Sequence, residues 1–254
     1  MNRTLLVLGN RLYRHAYPFY RPLYVLYKAL LDRRERAFLR RVLIPGMTVV
    51  DIGANIGVYS RFFARLVGAD GKVVAFEPAA DVFRRLRHNV AGLSQVEPIH
   101  AAIGSFTGEI VLFESDELNV DHRVYDTGEN RRQTRVRCWA LDDYIQPTQR
   151  IDLVKIDVQG FELRALRGAE RVLQSNAGIV VLLEFWPHGL RAAGDQPTAL
   201  VDYLSKECGF QLYGIESRRL RLFDPRSLND HPESYCNVLA LRAPVPSALQ
   251  DMLR

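Results

Sequence analysis

The sequence predicts an α/β domain built on a mostly parallel sheet, with one inserted β-hairpin and a helical extension before it. Three observations carry this. From residue 46 onward, short apolar runs alternate with amphipathic stretches of helical period, the pattern of βαβ units. The first apolar run ends in the glycine-bearing turn "DIGANIG" (51–57) and feeds a helix. Midway, "EIVLFES" and "TRVRCWAL" alternate with a period of two, as hairpin strands do.

The extension comes first. Residues 13–43 place apolar side chains at 23, 26, 27, 30, 31, 38 and 42, which fits one or two amphipathic helices, with Pro22 where a helix starts. Charge is concentrated there. Residues 1–45 hold ten Arg or Lys against two acids, a local +8, so the remainder carries −3 within an overall +5. This basic amphipathic segment (1–44) reads as a helical cap with solvated arginines or as a platform for an anionic membrane surface, with nucleic acid a poor match. "TLLVLG" is too short for a signal-peptide core or a membrane span, so a cytoplasmic protein is expected, with peripheral contact at the inner membrane surface as the variant. Cys138, Cys208 and Cys236 are widely spaced and form no zinc or disulfide pattern.

The domain proper is expected over 45–243, with 244–254 as a tail. "MTVVDIG", "KVVAFEP" and "VEPIHAAIG" are the first three strands, separated by helices "GVYSRFFARLVG" and "AADVFRRLRHNVAGL". The hairpin follows, its strands joined by the polar stretch 116–133; a connection of that length makes 114–134 a candidate substrate lid. "IDLVKIDVQG", "GIVVLLEF", "FQLYGIE" and "YCNVLALR" complete seven core strands, with helices over "ELRALRGAERVLQ" and "QPTALVDYLSKECG".

The first loop narrows the ligand. A dinucleotide fingerprint has G-x-G-x-x-G, whereas Gly53 and Gly57 here enclose Ala54, Asn55 and Ile56, so the glycine that admits a pyrophosphate is missing. Asp51 at the loop's mouth suits an ammonium rather than a phosphate, which points to a nucleoside bearing an amino acid. Glu77, twenty residues beyond Gly57 at the end of the second strand, is placed to accept hydrogen bonds from ribose hydroxyls. A nicotinamide-dependent oxidoreductase shares this βαβ logic and is the less favoured reading.

Taken in order, "VVDIGANIGVYS", "FEP", Asn89, "AAIG", "LDDYI", "LVKIDVQGFELRALRGA" and "LLEF" resemble the FkbM family of S-adenosylmethionine-dependent O-methyltransferases over about residues 44–186. The resemblance implies a Rossmann-like class I methyltransferase sheet of seven strands, the last antiparallel. It implies that Asp51, Gly53, Asn55 and Gly57 cradle the methionine part of S-adenosylmethionine and that Glu77 holds the ribose. Ala102 and Ile103 would lie near adenine, although apolar residues there equally suit a core.

For the chemistry, Asp157 ends the fourth strand, Glu184 the fifth, and His188 follows. All three can converge beyond the carboxyl ends of the strands, where open parallel sheets bind ligands. His188 has a base's intrinsic pKa but is equally read as a solvated loop histidine. Lys155 lies two residues before Asp157, on the same strand face, so the two can pair. A divalent metal held by Asp157, Glu162 and Glu184 is left open. No D/N-P-P-Y/F motif follows strand four, which favours a hydroxyl acceptor, of a sugar, glycan or related natural product, over a nucleic-acid base. Where the family often has Glu, this chain has Gln159; it serves if the side chain only hydrogen-bonds, and a non-catalytic S-adenosylmethionine-binding protein is the alternative if a base is needed there.

Overall fold

The computed structural model describes residues 3–115, 122–126, 128, 130–216 and 219–253. Three helices lead: α1 (Arg3–His15), α2 (Tyr17–Leu31) and α3 (Arg33–Val42). The sheet then begins with β1 (Thr48–Ile52), α4 (Val58–Val67), β2 (Lys72–Phe76), α5 (Ala80–Val90) and β3 (Val96–Ile99). A three-stranded sheet follows from β4 (Ala102–Ile103), β5 (Gly108–Glu114) and β6 (Arg132–Trp139). After the turn α6 (Leu141–Tyr144) come β7 (Leu153–Ile156), α7 (Glu162–Arg167), α8 (Glu170–Ser175), β8 (Val180–Phe185), α9 (Pro187–Ala192) and α10 (Pro197–Asp202). β9 (Gln211–Glu216), β10 (Arg219–Leu222) and β11 (Cys236–Leu241) close the main sheet.

Its strand order is β10-β9-β11-β8-β7-β1-β2-β3. The run β3 to β8 is parallel, and β11 is antiparallel to both β8 and β9. The central strands β1, β2, β7 and β8 are buried on both faces. Val50, Ile52, Val154 and Ile156 pack with α7, α8 and α10, whereas Val49, Val73, Leu153 and Leu182 pack with α3 and α4. The continuous apolar runs of the sequence follow from this double burial.

Several expectations need correction. "VEPIHAAIG" is two strands: β3 stops at Ile99, a tight turn places Ala101 N–H on the Ile99 carbonyl (3.1 Å), and β4 joins β6 in the second sheet. Pro98 is tolerated because β3 is an edge strand. The main sheet gains an eighth strand, β10, paired only with β9. "ELRALRGAERVLQ" breaks into α7 and α8 at Gly168, where a Cβ would sit 1.9 Å from the Gly104 carbonyl oxygen. Pro22 lies inside α2, whose first turn holds Pro18 instead; the N–H that Pro22 lacks would have met the carbonyl of Pro18, which is exposed. The 244–254 tail is also structured. A 3-10 turn (Ser247–Leu253) buries Leu249 and Met252 with α3 and ion-pairs Asp251 with Arg41 at 2.8 Å.

Gly53 sets the distance between the two central strands at their carboxyl ends. Its φ is +76°, and a Cβ there would lie 1.9 Å from the Asp157 carbonyl oxygen. Gly209 has a similar φ of +72° with nothing within 4 Å. Urea denaturation will show Gly53→Ala losing about 3 kcal/mol or more and Gly209→Ala about 1 kcal/mol. Equal losses would mean that backbone conformation alone, not strand contact, demands the glycine at 53.

Candidate active site

Alternation along three adjacent strands assembles the site. Asp51 on β1 is directly opposite Lys155 on β7, and both face α4. Asp157 continues that face beyond β7, and Glu184 continues it on β8. Lys155 is 6% exposed, and its Nζ lies 3.5 Å from Asp51 Oδ1 and 3.5 Å from Asp157 Oδ2. The Tyr59 ring covers it at 5.1 Å. Ser60 Oγ donates to Asp51 Oδ2 (2.7 Å), while the fully buried Oδ1 has no hydrogen-bond donor. Lys155 and Asp157, the expected pair, are thus two members of a three-member chain that Asp51 completes.

The loop after β7 is shaped by Gln159, a non-glycine residue with φ of +54°. Such a conformation persists only when contacts hold it. Gln159 Nε2 donates to Asp157 Oδ1 (3.1 Å) and to Glu184 Oε2 (3.2 Å), and its carbonyl accepts from the Tyr125 hydroxyl (2.7 Å). An amide can bridge two carboxylates; an ionised Glu would add a third. Glu162 closes the loop from below, Oε1 accepting from Val158 N–H (3.2 Å) and Gly160 N–H (3.1 Å). It is therefore turned into its own loop rather than toward Asp157 and Glu184. Among the described residues no three His, Cys, Asp or Glu side chains are placed to hold a metal ion.

The first loop is held to the second strand. Gly53 and Ala54 N–H both bond the Phe76 carbonyl, and Glu77 accepts from Asn55 N–H (2.9 Å) and Ala79 N–H (2.9 Å). Asn55, at φ +51°, accepts from Ile56 N–H through its side chain, so it forms the turn. The space the glycines leave is filled by protein: Gly53 faces the Asp157 carbonyl, and a Cβ on Gly57 would lie 2.7 Å from Leu86 Cδ1. Asn89 does not cap its helix; its amide bonds the Ile56 carbonyl (2.8 Å) and the Tyr17 hydroxyl (2.7 Å), joining loop, α5 and α2. Ala102 and Ile103 are 5% and 2% exposed and belong to two different core clusters.

His188 stands apart. It lies on the short helix α9 rather than in a loop, 3.6 Å from Asp230, and contacts neither Asp157, Gln159 nor Glu184. The contributor that sequence reasoning missed is α2. Lys28 pairs with Asp32 (3.0 Å) and approaches the same Tyr59 ring at 5.9 Å, and its charge is felt by both Asp157 and Glu184. Tyr24 is close enough to Asp157 for their charges to interact, and Tyr13 and Tyr20 pack with Ile56, Ala79 and Ala102. The helices thus roof the strand ends. The only signal for this was the Tyr17-Tyr20-Tyr24-Lys28 row, which reads equally as a surface. The described part of the expected lid also folds back, Arg123 bridging Phe113 and Tyr125 reaching Gln159; residues 116–121, 127 and 129 of that lid lie outside the described residues. A cleft of about 820 Å³ lies to one side, between α1, α5 and the hairpin, and none of the predicted site residues lines it.

Electrostatically the site is short of positive charge. Burial raises Asp51 above the usual carboxylate range against the pull of Lys155 and Ser60. Burial likewise lifts Glu77 and Glu162 to about 7. Burial, then the charges of Asp157 and Glu162, push Glu184 well above its ordinary value. Asp157 goes the other way: removal from water would raise it, but Lys155, Lys28 and the Gln159 amide hold it low. For Lys155, burial opposes the charge, and Asp157 and Asp51 outweigh it. A buried Asp51 oxygen whose cationic neighbour, Lys155, is shared with Asp157 fits a ligand that brings positive charge.

The strand order, with an antiparallel strand inserted between β8 and β9, and an acidic loop after β1 define a class I methyltransferase. The fold matches a crystal structure from Clostridium thermocellum named as a candidate rRNA methylase, with a TM-score of 0.50 at 13% identity over 83% of this chain and 94% of that one. Residues 51–212 match the model of the methyltransferase FkbM domain, and the chain belongs to that family of S-adenosylmethionine-dependent enzymes. Relatives include methyltransferase sdnD of Sordaria araneosa, 27% identical over 56% of this chain and 68% of its own length. The hexuronic acid methyltransferase AglP of Haloferax volcanii is 30% identical over 52% of this chain and 53% of its own length, so this chain spans only about half of that relative. Family membership sets the nicotinamide reading aside.

Two outcomes follow. Glu162→Gln keeps both loop bonds to one oxygen and removes the titration. Because the folded value (about 7) exceeds the ordinary 4.5, the stability Glu162 contributes is full below about pH 4.5 and lost as pH rises through 7. Thermal melts from pH 4 to 8.5 will therefore show the variant gaining on the wild type between those values; a constant gap would mean that Glu162 is ionised in the fold. For the cofactor, Asp51→Ala and Glu77→Ala will each abolish S-adenosylmethionine binding in calorimetry, whereas wild-type binding at pH 7 will release protons as Glu77 ionises to accept hydroxyls. Undiminished affinity in both variants, with no buffer-dependent heat, would remove the assignment.

Proposed function

We propose that the protein transfers the methyl group of S-adenosylmethionine to a hydroxyl oxygen of a sugar, glycan or related natural product. The observation that carries this is the Asp157–Gln159–Glu184 cluster at the carboxyl ends of β7 and β8, beside the Asp51 loop. S-adenosylmethionine supplies an activated methyl on a sulfonium. Asp51 would face its ammonium and Glu77 its ribose, with Lys155 set between Asp51 and Asp157. Asp157 and the Gln159 amide would orient the acceptor, and Glu184, whose carboxyl burial and neighbouring acids raise well above its ordinary value, would take the hydroxyl proton as the acceptor oxygen gains the methyl group and S-adenosylhomocysteine leaves.

A hydroxyl acceptor is supported by the absence of an N-P-P-Y-type motif after β7 and by the polar connection whose Tyr125 reaches the site. The printed substrate of AglP, a hexuronic acid, is of the same hydroxyl-rich class.

Assays against a panel of uronic acids, hexoses and hydroxylated natural products, read by mass spectrometry, will show a gain of one methyl on oxygen with production of S-adenosylhomocysteine. Glu184→Gln will lower kcat by roughly 100-fold or more, the scale of general-base loss, with cofactor affinity unchanged. A variant with full kcat would remove Glu184 from proton transfer, and methylation only at nitrogen would overturn the acceptor class.

A further inference from the structure

The helix that roofs the site has a second face. Phe19, Leu23, Leu26 and Leu30 recur at intervals of four, three and four residues and so form one row along α2. They are 71%, 58%, 58% and 68% exposed. The inward row of Tyr17, Tyr20, Tyr24 and Lys28 lies about 135° around the same helix, taking 3.6 residues per turn. Nothing among the described residues covers the outer row. Four large apolar side chains aligned on a water-facing helix mark an interaction surface.

Charge identifies what covers it. Arg11 on α1 and Arg33 and Arg34 on α3 are exposed and have no acidic partner among the described residues. They bracket α2 from both sides. A two-fold contact with a second copy would bring like surfaces together, each carrying the local +8 of residues 1–45, and so would be repulsive. An anionic lipid surface meets both needs, apolar depth for the leucines and phosphates for the arginines. At 15 residues α2 is too short to span a bilayer, and among the described residues no helix is long and apolar enough to do so, which leaves an orientation parallel to the surface.

We propose that α2 seats the protein on an anionic phospholipid bilayer, with Phe19, Leu23, Leu26 and Leu30 at the acyl boundary and Arg11, Arg33 and Arg34 on headgroup phosphates. The strand-end site then operates directly beneath a membrane-bound helix. This docking stands on the apolar row of α2 and the flanking arginines of α1 and α3, and is independent of which acceptor the site takes.

The test is sedimentation of the full chain with phosphatidylglycerol–phosphatidylcholine vesicles and with phosphatidylcholine alone. Binding to the first will exceed the second by roughly tenfold or more, and will weaken with salt. Leu23→Glu/Leu26→Glu and Arg33→Glu/Arg34→Glu will each reduce it by at least the same factor. Both variants alter exposed positions, so an unchanged circular dichroism spectrum and unchanged S-adenosylmethionine affinity will show that the fold and site are intact. Equal sedimentation with both vesicles, or full binding by the glutamate variants, would overturn the proposal. So would a dimer that the same substitutions dissociate in a protein that ignores vesicles, which would assign the row to a second copy.

Discussion

Lys155 is a single ammonium buried between two carboxylates, and the strand-end architecture is organised around it. Its Nζ is 3.5 Å from both Asp51 and Asp157. A buried pair of this kind gains little over apolar packing, but removing one member strands the others, at a cost of about 3–5 kcal/mol. Here the loss would extend further. Without the ammonium, Asp51 and Asp157 on neighbouring strands would repel each other where Gly53 brings the backbones into contact. Glu184 and Glu77, already raised by burial, leave the acids in excess. A site so poor in cations is suited to a sulfonium-bearing ligand and unsuited to phosphate.

Around this centre, rigidity is distributed unevenly. The first loop is fastened by backbone bonds to Phe76 and Glu77 and by Asn89. The second loop is fastened mainly by side chains, Gln159 from above and Glu162 from below, with Tyr125 arriving from the hairpin. The first loop is thus built into the sheet, while the second is assembled from segments far apart in sequence. This division lets one fold hold a constant cofactor while its acceptor varies.

What was legible in the sequence follows the same division. Period-two and period-3.6 patterns reveal β1, β2, β7 and β8, because double burial leaves unbroken apolar runs, and the acids at their ends stand out against them. The split of β3 from β4 was hidden because the chain turns within two residues without a glycine. β10, "RLRL", buries only Leu220 and is recruited by pairing with β9 rather than by its own pattern. α9 was read as loop because Trp186-Pro187 looks like a break, whereas Pro187 opens a helix. The glycines suggested a ligand, and Gly53 and Gly57 also admit the Asp157 carbonyl and Leu86, since sequence gives the conformational freedom and not what approaches. Gln159 looked like a lost base because its partners, 2 and 25 residues away, meet only through strand register.

The 3-10 turn at Ser247–Leu253 has a consequence for where the molecule divides. Composition and charge place the seam at Pro45-Gly46, yet Phe38 and Leu39 are fully buried in the main core and Arg41 is fastened to Asp251. α3 is therefore a structural wall of the catalytic body, while α1 and α2 cover the strand ends through Tyr13, Tyr17 and Tyr20. Asp32, buried at the α2–α3 junction, is ion-paired to Lys28 at 3.0 Å and ties the two helices together. A truncation cut to match the charge boundary removes α3, opens the core and so reports unfolding in place of lost attachment.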